Sequence, residues 1–271
     1  MGHAIHAIIT GGSSGIGKAT AIRLAREGAD VTIMARRPQV LAVAKDEIEA
    51  SRHHARQRIR AVQVDVADAA AVRDAVAAAQ AESGPCELAI ASAGITCPGY
   101  FAQIPDEVFT QIMAVNYFGS LHLARAVLPD MRARRRGHVV FISSGAGIIG
   151  VFGYSAYSPS KFAVRGLAEV LRAELVADGV GVSIVYPPDT DTPQLAEEMR
   201  HKPAETCAVT AAARTLSADA VACATLRGVR RRRFAITPGA EMTILYRMHS
   251  LILPALTRYL DRLAGKARRD A

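Results

Sequence analysis

Tyr157 and Lys161 stand four positions apart, and Ser144 stands thirteen positions before the tyrosine. On a helix, residues four apart project from one face, one turn from each other. A free phenol has a pKa of about 10. A lysine cation beside it favours the phenolate and makes the phenol a better acid near neutral pH. A serine at the end of the preceding strand is placed to hold a substrate oxygen beside that phenol. The chemistry of such a trio is proton donation to a carbonyl. A Tyr and a Lys at this spacing also arise by chance on ordinary helices, so the surrounding elements must carry the argument.

The trio falls within Ser143–Lys161, SSGAGIIGVFGYSAYSPSK. Residues 137–143, rich in Val, Ile and Phe, read as a buried strand. Residues 162–175 repeat apolar positions at three and four and read as a helix.

A second stretch able to do chemistry is Thr10-Gly-Gly-Ser-Ser-Gly-Ile-Gly17, which follows a short strand over 5–10 and precedes a helix over 18–28. A further strand over 31–35 completes a βαβ unit, the context a dinucleotide fingerprint requires. Gly11 permits the tight turn, Gly15 lets the backbone approach a pyrophosphate, and Gly17 lets the helix pack closely on the strand. The helix N-terminus then offers the phosphates free N–H groups and a partial positive charge. Expected contacts are Thr10, Gly11, Ser13, Ser14, Gly15, Ile16 and Gly17; the bland alternative is an ordinary glycine turn. The second strand ends at Arg36-Arg37, where an acidic residue would bind the ribose 2′-hydroxyl of NAD. Two arginines suit a 2′-phosphate instead and point to NADPH. The alternative is a solvated basic turn.

The remaining elements alternate. Helices are expected over 39–51, 67–81, 105–131 and 218–230, and strands over 59–64, 88–91, 180–186 and 234–237. Asp65, beside Val66, is placed to touch an adenine edge, and Ala93-Gly94 follow the fourth strand. Asn116, alone on its helical face, reads as a satisfied structural amide. This alternation implies an α/β fold: one Rossmann-type, doubly wound parallel sheet with helices on both faces. The expected organisation is a catalytic domain over 1–239, with a mobile polar substrate lobe at about 189–214, and an extension over 240–271.

Half of the 271 residues are hydrophobic and 21% are charged, which excludes a disordered chain. Lys and Arg number 33 against 25 Asp and Glu, a formal charge of +8. That balance suits phosphates, nucleic acid or an anionic membrane and does not choose among them. No nucleic-acid motif is visible, so no nucleic-acid partner is expected. Cys86, Cys97, Cys207 and Cys223 form no CxxC pair, and no metal site is expected; free thiols in a reducing compartment are. No signal peptide or spanning apolar run is visible. Residues 242–256 are strongly apolar, broken by Arg247, His249 and Pro254 and followed by Arg258, Arg262, Lys266, Arg268 and Arg269. Such a segment is either an interfacial membrane helix or an element packed on the core or a subunit interface.

Taken together, TGGSSGIG at 10–17, Asn116, Ser144 and Tyr157-x-x-x-Lys161 resemble the short-chain dehydrogenase/reductase family over nearly the whole chain. Residues 186–193, 196–206 and 157–169 are similar to its 3-ketodihydrosphingosine reductase branch. The resemblance implies NADPH-dependent reduction of the 3-keto group of a long-chain base in sphingolipid synthesis. It implies Tyr157 as acid, Ser144 as carbonyl holder, Lys161 as ribose contact, Asn116 in a water-linked proton relay, and Pro187, Thr190 and Thr192 near the nicotinamide. It also implies a homo-oligomer, dimer or tetramer, in the cytoplasm on the membrane face. Two departures stand out. Ala91-Ser-Ala-Gly94 replaces the family's Asn-Asn-Ala-Gly, and the chain opens at its first strand without the N-terminal membrane segment of eukaryotic relatives. Another ketone (a 3-oxoacyl thioester, a steroid, an aliphatic ketone) is the alternative substrate. A cofactor-binding membrane-surface protein without turnover is the alternative of another class.

Overall fold

A computed structural model describes residues 5–210 and 214–270, with the side chains of 268 and 270 left aside. In chain order the elements are β1 (His6–Thr10), α1 (Gly15–Arg26), β2 (Asp30–Ala35), α2 (Pro38–Ala50), β3 (Ile59–Gln63), α3 (Ala69–Ser83) and β4 (Cys86–Ala91). Then come α4 (Asp106–Met113), α5 (Gly119–Ala133), β5 (His138–Ile142), α6 (Tyr157–Leu175), β6 (Gly181–Val185) and β7 (Thr190–Asp191). The chain continues with α7 (Pro193–Glu198), α8 (Ala204–Thr210), β8 (Leu216–Ser217), α9 (Ala218–Arg230), β9 (Ala235–Ile236) and α10 (Ala240–Asp270).

Seven parallel strands form one sheet in the order β3-β2-β1-β4-β5-β6-β9. The apolar runs that announced the strands are continuous because both faces are covered. Alternate residues feed two separate cores. Ile8, Ala89, Ala91, Val139, Phe141 and Ile184 point to the face packed by α3, α5 and α6. Ala7, Ile9, Leu88, Ile90, Val140 and Val185 point to the face packed by α1, α2 and α9. Strand order reverses between β1 and β4, so a crevice opens at their carboxyl ends, the position where open α/β sheets bind ligands.

Three departures from the sequence reading bear on the site. The helix expected over 105–131 is interrupted by a single π turn, Ala114–Phe118, which carries Asn116. Such turns are rare and gather at functional sites. The lobe expected to be polar and mobile is two short helices whose Glu198, Lys202, Glu205 and Thr206 are buried. It is stitched back by a two-stranded ribbon, β7 with β8. Finally, the apolar tail is one 31-residue helix, α10. Its start belongs to the core: Met242 is buried, and Tyr246 stacks on Tyr186 with ring centroids 5.2 Å apart. Ile244, Met248 and Leu251 face out. Among the described residues no helix is long and apolar enough to cross a membrane.

Candidate active site

Tyr157 is the first residue of α6, and Lys161 lies one turn on. The apolar periodicity begins only at Phe162, because the first turn, YSPSK, is polar yet turned inward: Ser158, Ser160 and Lys161 are all buried. Ser143 donates its hydroxyl to the carbonyl of Lys161 at 3.2 Å, which fixes the end of β5 to this turn. That link sets Ser144, the next residue, against the tyrosine, close enough to act on its phenol. Ser144 Oγ also accepts the Ala146 N–H at 3.2 Å.

Lys161 Nζ donates to the carbonyl of Ile142 at 3.0 Å and lies 5.5 Å from the Tyr157 ring centroid. Among the described residues no carboxylate pairs with it, and burial pulls its pKa down to about 8. Sequence reasoning expected this cation to make the phenol more acidic. In the free protein the opposite holds. Burial raises the Tyr157 phenol first, Glu198 adds to the rise, the Ser144 hydrogen bond opposes it, and Asp189 adds again. The phenol is therefore fully protonated at neutral pH, a loaded donor rather than a phenolate.

Asn116 stands behind this group. Its side-chain amide donates to the carbonyl of Ile95 at 3.0 Å and to Ser160 Oγ at 2.9 Å, and its oxygen accepts the Ile95 N–H at 2.8 Å. Ser160 in turn donates to the carbonyl of Tyr157 at 2.7 Å. The amide thus ties the loop after β4 to the catalytic turn, and the π turn presents it there.

A cleft of about 1170 Å³ joins these residues to the glycine turn. Its wall runs from Arg36 and Arg37 past Ser13, Ser14, Gly15 and Ile16, across Gly11, Val66, Ala93 and Gly94, to Ser144, Tyr157 and Lys161. Pro187, Thr190 and Thr192 line the far side. Gly11 has φ +67°, and a Cβ there would meet the backbone of Ala93 at 2.7 Å. Only glycine permits this turn and this approach between the ends of β1 and β4. Ser14 caps α1 with extended backbone and without a side-chain cap bond, so its hydroxyl and the first-turn N–H groups are left for an anion. The set therefore fits a dinucleotide. Three expected cofactor contacts, Thr10, Gly17 and Asp65, and the expected relay residue Asn116 stand off the wall. Thr10 is buried, with its hydroxyl toward Ile90 O and Ala93 N; Gly17 packs under Gly11; Asn116 is described above. Asp65 accepts the Ala67 N–H at 3.0 Å and lies 3.9 Å from Arg36 at the rim.

The model of the short chain dehydrogenases matches residues 5–203. The chain belongs to the short chain dehydrogenase family. Among its short chain dehydrogenase relatives is a 3-dehydrosphinganine reductase of Danio rerio, 45% identical over 202 residues, which cover 74% of this chain and 61% of the relative. A 3-ketodihydrosphingosine reductase of Dictyostelium discoideum is 35% identical over 245 residues, 85% of this chain and 73% of the relative. The chain thus spans about three fifths of the Danio protein's length. Among solved structures, a short chain dehydrogenase/reductase from Burkholderia phymatum in complex with NAD superposes with TM-score 0.81, 25% identity and coverage of 93% and 95%. A short-chain dehydrogenase from Sphingobium yanoikuyae in complex with NADPH gives 0.76, 26%, 94% and 95%.

Sequence reasoning missed the polar cluster at the other end of this short chain dehydrogenase cleft. Tyr154 donates to Glu198 Oε2 at 2.7 Å, and its ring lies 5.4 Å from that of Tyr157. Lys202, its side chain fully buried, reaches Asp189 at 3.4 Å and Glu198 at 3.7 Å. The one available signal was Glu198 and Lys202 at i, i+4, which in a presumed surface lobe reads as an ordinary exposed pair.

Proposed function

We propose that this protein is an NADPH-dependent reductase that converts the 3-keto group of 3-ketodihydrosphingosine to the alcohol of dihydrosphingosine, a step of sphingolipid synthesis. The observation that carries the reading is geometric: Tyr157 and Lys161 stand one turn apart on α6, Lys161 Nζ lies 5.5 Å from the Tyr157 ring centroid, and both line with Ser144 a dinucleotide-shaped cleft. The relatives named 3-dehydrosphinganine and 3-ketodihydrosphingosine reductase support the substrate.

Gly11, Ser13, Ser14, Gly15 and Ile16 would hold the pyrophosphate, and Arg36 and Arg37 the 2′-phosphate, which favours NADPH over NADH. Asp65, Val66, Ala93 and Gly94 would lie toward the adenine and the ribose, and Pro187, Thr190 and Thr192 toward the nicotinamide. When bound, the reduced nicotinamide supplies a hydride to the carbonyl carbon. The ketone oxygen takes the place between Ser144 and Tyr157, so Ser144 orients it and Tyr157 gives it a proton as charge builds there. Lys161 holds a ribose hydroxyl and keeps a positive charge behind the phenol as it loses its proton. Asn116 keeps the turn and its proton route in register.

The long-chain base resides in a bilayer. The catalytic domain, expected over 1–239, would also take in the start of α10, where Met242 is buried in the core, and the rest of α10 would lie as a peripheral extension on the cytoplasmic membrane face, its outward apolar side chains and Arg258, Arg262 and Lys266 touching lipid. The test is NADPH consumption with 3-ketodihydrosphingosine beside a 3-oxoacyl thioester. Turnover of the keto base, at a kcat/KM above that of the thioester, is expected. Preference for the thioester, or consumption of neither, overturns the assignment.

A further inference from the structure

The cleft wall that holds Tyr157 also carries the carboxylates of Glu198 and Asp189. Their cation, Lys202, is not on that wall; it lies behind them, wholly buried, at 3.7 and 3.4 Å. The carboxylates are thus presented to the cleft and the ammonium is not. Glu198 is the better held of the two. Tyr154 donates to its Oε2 at 2.7 Å and Gln194 to its Oε1 at 3.1 Å, and its side chain is 10% exposed. Each carboxylate oxygen accepts about two hydrogen bonds, so acceptor capacity remains on the cleft side. Among the described residues the Asp189 carboxylate is paired with Lys202 alone, while its backbone carbonyl accepts the Leu216 N–H at 3.0 Å.

The charges near this end do not balance. Two carboxylates face one ammonium, which leaves one negative charge shared between the buried Glu198 and the partly exposed Asp189. Neighbouring groups do not cancel it. Lys161 is turned to Ile142 O on the far side of the tyrosine. Glu197 is paired with Arg200 at 2.9 Å and His201 at 3.3 Å. A buried carboxylate short of a counter-charge is costly and is kept where it does something. Here it sits beside the reaction, since Tyr154, which holds Glu198, lies against Tyr157, which receives the ketone oxygen. Glu198 also raises the phenol of Tyr157, an independent sign that its field reaches the reacting group.

We infer that Glu198, supported by Asp189, is the specificity-determining subsite for a positively charged amine carried on the carbon next to the reacting carbonyl. The inference rests on the keto-base reading and deepens it. In 3-ketodihydrosphingosine the amine nitrogen is two bonds from the carbonyl carbon. With the ketone oxygen on Ser144 and Tyr157, the ammonium falls at the Tyr154 end of the cleft and supplies the missing positive charge. The competing ketones lack it: a 3-oxoacyl thioester, a steroid or a plain aliphatic ketone leaves the carboxylate uncompensated. Lys202 keeps the empty subsite from carrying two bare negative charges and holds both carboxylates in place for the incoming cation.

The test compares kcat/KM for 3-ketodihydrosphingosine and for the matched long-chain 3-ketone with hydrogen in place of the amine, in the full chain with NADPH. The wild type should prefer the amino ketone. Glu198→Gln keeps size and the acceptor for Tyr154 but removes the charge. It should lower the ratio of the two kcat/KM values by about 10- to 150-fold, the loss of one charge-assisted hydrogen bond. Asp189→Asn should lower the same ratio less. NADPH affinity, read by fluorescence, reports whether each variant is folded. Should Glu198→Gln not fold, the wild type decides: a long-chain primary amine should compete with the keto base at least tenfold better than the matched alcohol. A proportionate loss on both ketones, or no change in the ratio, or equal inhibition by amine and alcohol, overturns the subsite while the keto-base reading stands. A wild type inert toward the keto base ends both.

Discussion

Lys161 Nζ donates to the carbonyl oxygen of Ile142 at 3.0 Å, so the lysine that backs the proton donor is anchored to the last residue of β5. The same strand end delivers Ser144, two residues on. This bond and that from the Ser143 hydroxyl to the Lys161 carbonyl join the two halves of the site, and among the described residues no carboxylate pairs with the cation. Burial lowers its pKa to about 8. As pH rises through that value the free protein loses the charge. NADPH affinity should fall above pH 8 in the wild type, measured by fluorescence titration. Lys161→Ala should bind NADPH weakly at every pH and lose rate as well. An affinity flat from pH 7 to 9.5 would remove Lys161 from the cofactor site.

Tyr157→Phe removes one hydroxyl and little volume. The lost proton donor should lower kcat by about 10²- to 10⁴-fold, the usual range for general acid catalysis. NADPH affinity should stay within about twofold, since the glycine turn and the arginines are untouched. Near-wild-type turnover would end the assigned role.

What the sequence made legible was local. Apolar runs of strand length, glycine stops and the strand–turn–helix context gave the sheet, and the Tyr157–Lys161 spacing gave the donor and its cation. Three features were hidden for physical reasons. The π turn at Ala114–Phe118 widens one helical turn without changing which residues are apolar, so periodicity reports an unbroken helix. The Glu198–Lys202 pair looks like solvated charge until the lobe folds back on Tyr154, a contact across 44 positions. The rise of the Tyr157 phenol in the free protein comes from burial and from the carboxylates of that lobe, neither of which shows in a spacing of four residues.

Cofactor choice should reside in Arg36. It lies 3.9 Å from Asp65, and both side chains are about half exposed, a pairing worth about 0–1 kcal/mol at most. Turning it to a 2′-phosphate therefore costs little. Arg36→Asp should weaken NADPH by about 10- to 150-fold, one charge-assisted bond, and change NADH far less. Equal NADPH affinity in the variant would show the arginine to face solvent only.

His138 makes stability depend on acid. Its Nε2 meets Ser183 Oγ at 2.8 Å between β5 and β6, and burial, helped by Arg232, lowers its pKa to about 4. The unfolded chain takes up a proton near pH 6.5, the folded chain only near 4. Between those values the unfolded state binds more protons, so stability falls as pH falls, by at most about 3 kcal/mol for this group. His6 is shifted the same way by burial and adds to the trend. His138→Gln should lose less stability than the wild type between pH 7 and 4.5 in urea denaturation. Identical pH slopes would exclude this account.

Deletion after Gly239 would remove Met242, a core residue lying against Gly145, and would confound lipid binding with folding. The informative changes are on the outward face. Ile244, Met248 and Leu251, spaced four and three apart, are 55%, 43% and 79% exposed, and Arg247, Arg258, Arg262 and Lys266 are exposed on the same helix. An apolar stripe with cations suits the surface of an anionic bilayer, where each cation adds about 1 kcal/mol that salt screens away. The protein should sediment with phosphatidylserine liposomes at low salt and be released in part at high salt. Ile244→Asp, Met248→Asp and Leu251→Asp together should abolish sedimentation while NADPH affinity stays, because none of the three is buried in the core. The triple variant should then lose activity on the bilayer-borne keto base more than on a short soluble ketone. If the parent stays off liposomes, or the triple variant binds them as well as the parent does, the outward face of α10 is not a membrane surface.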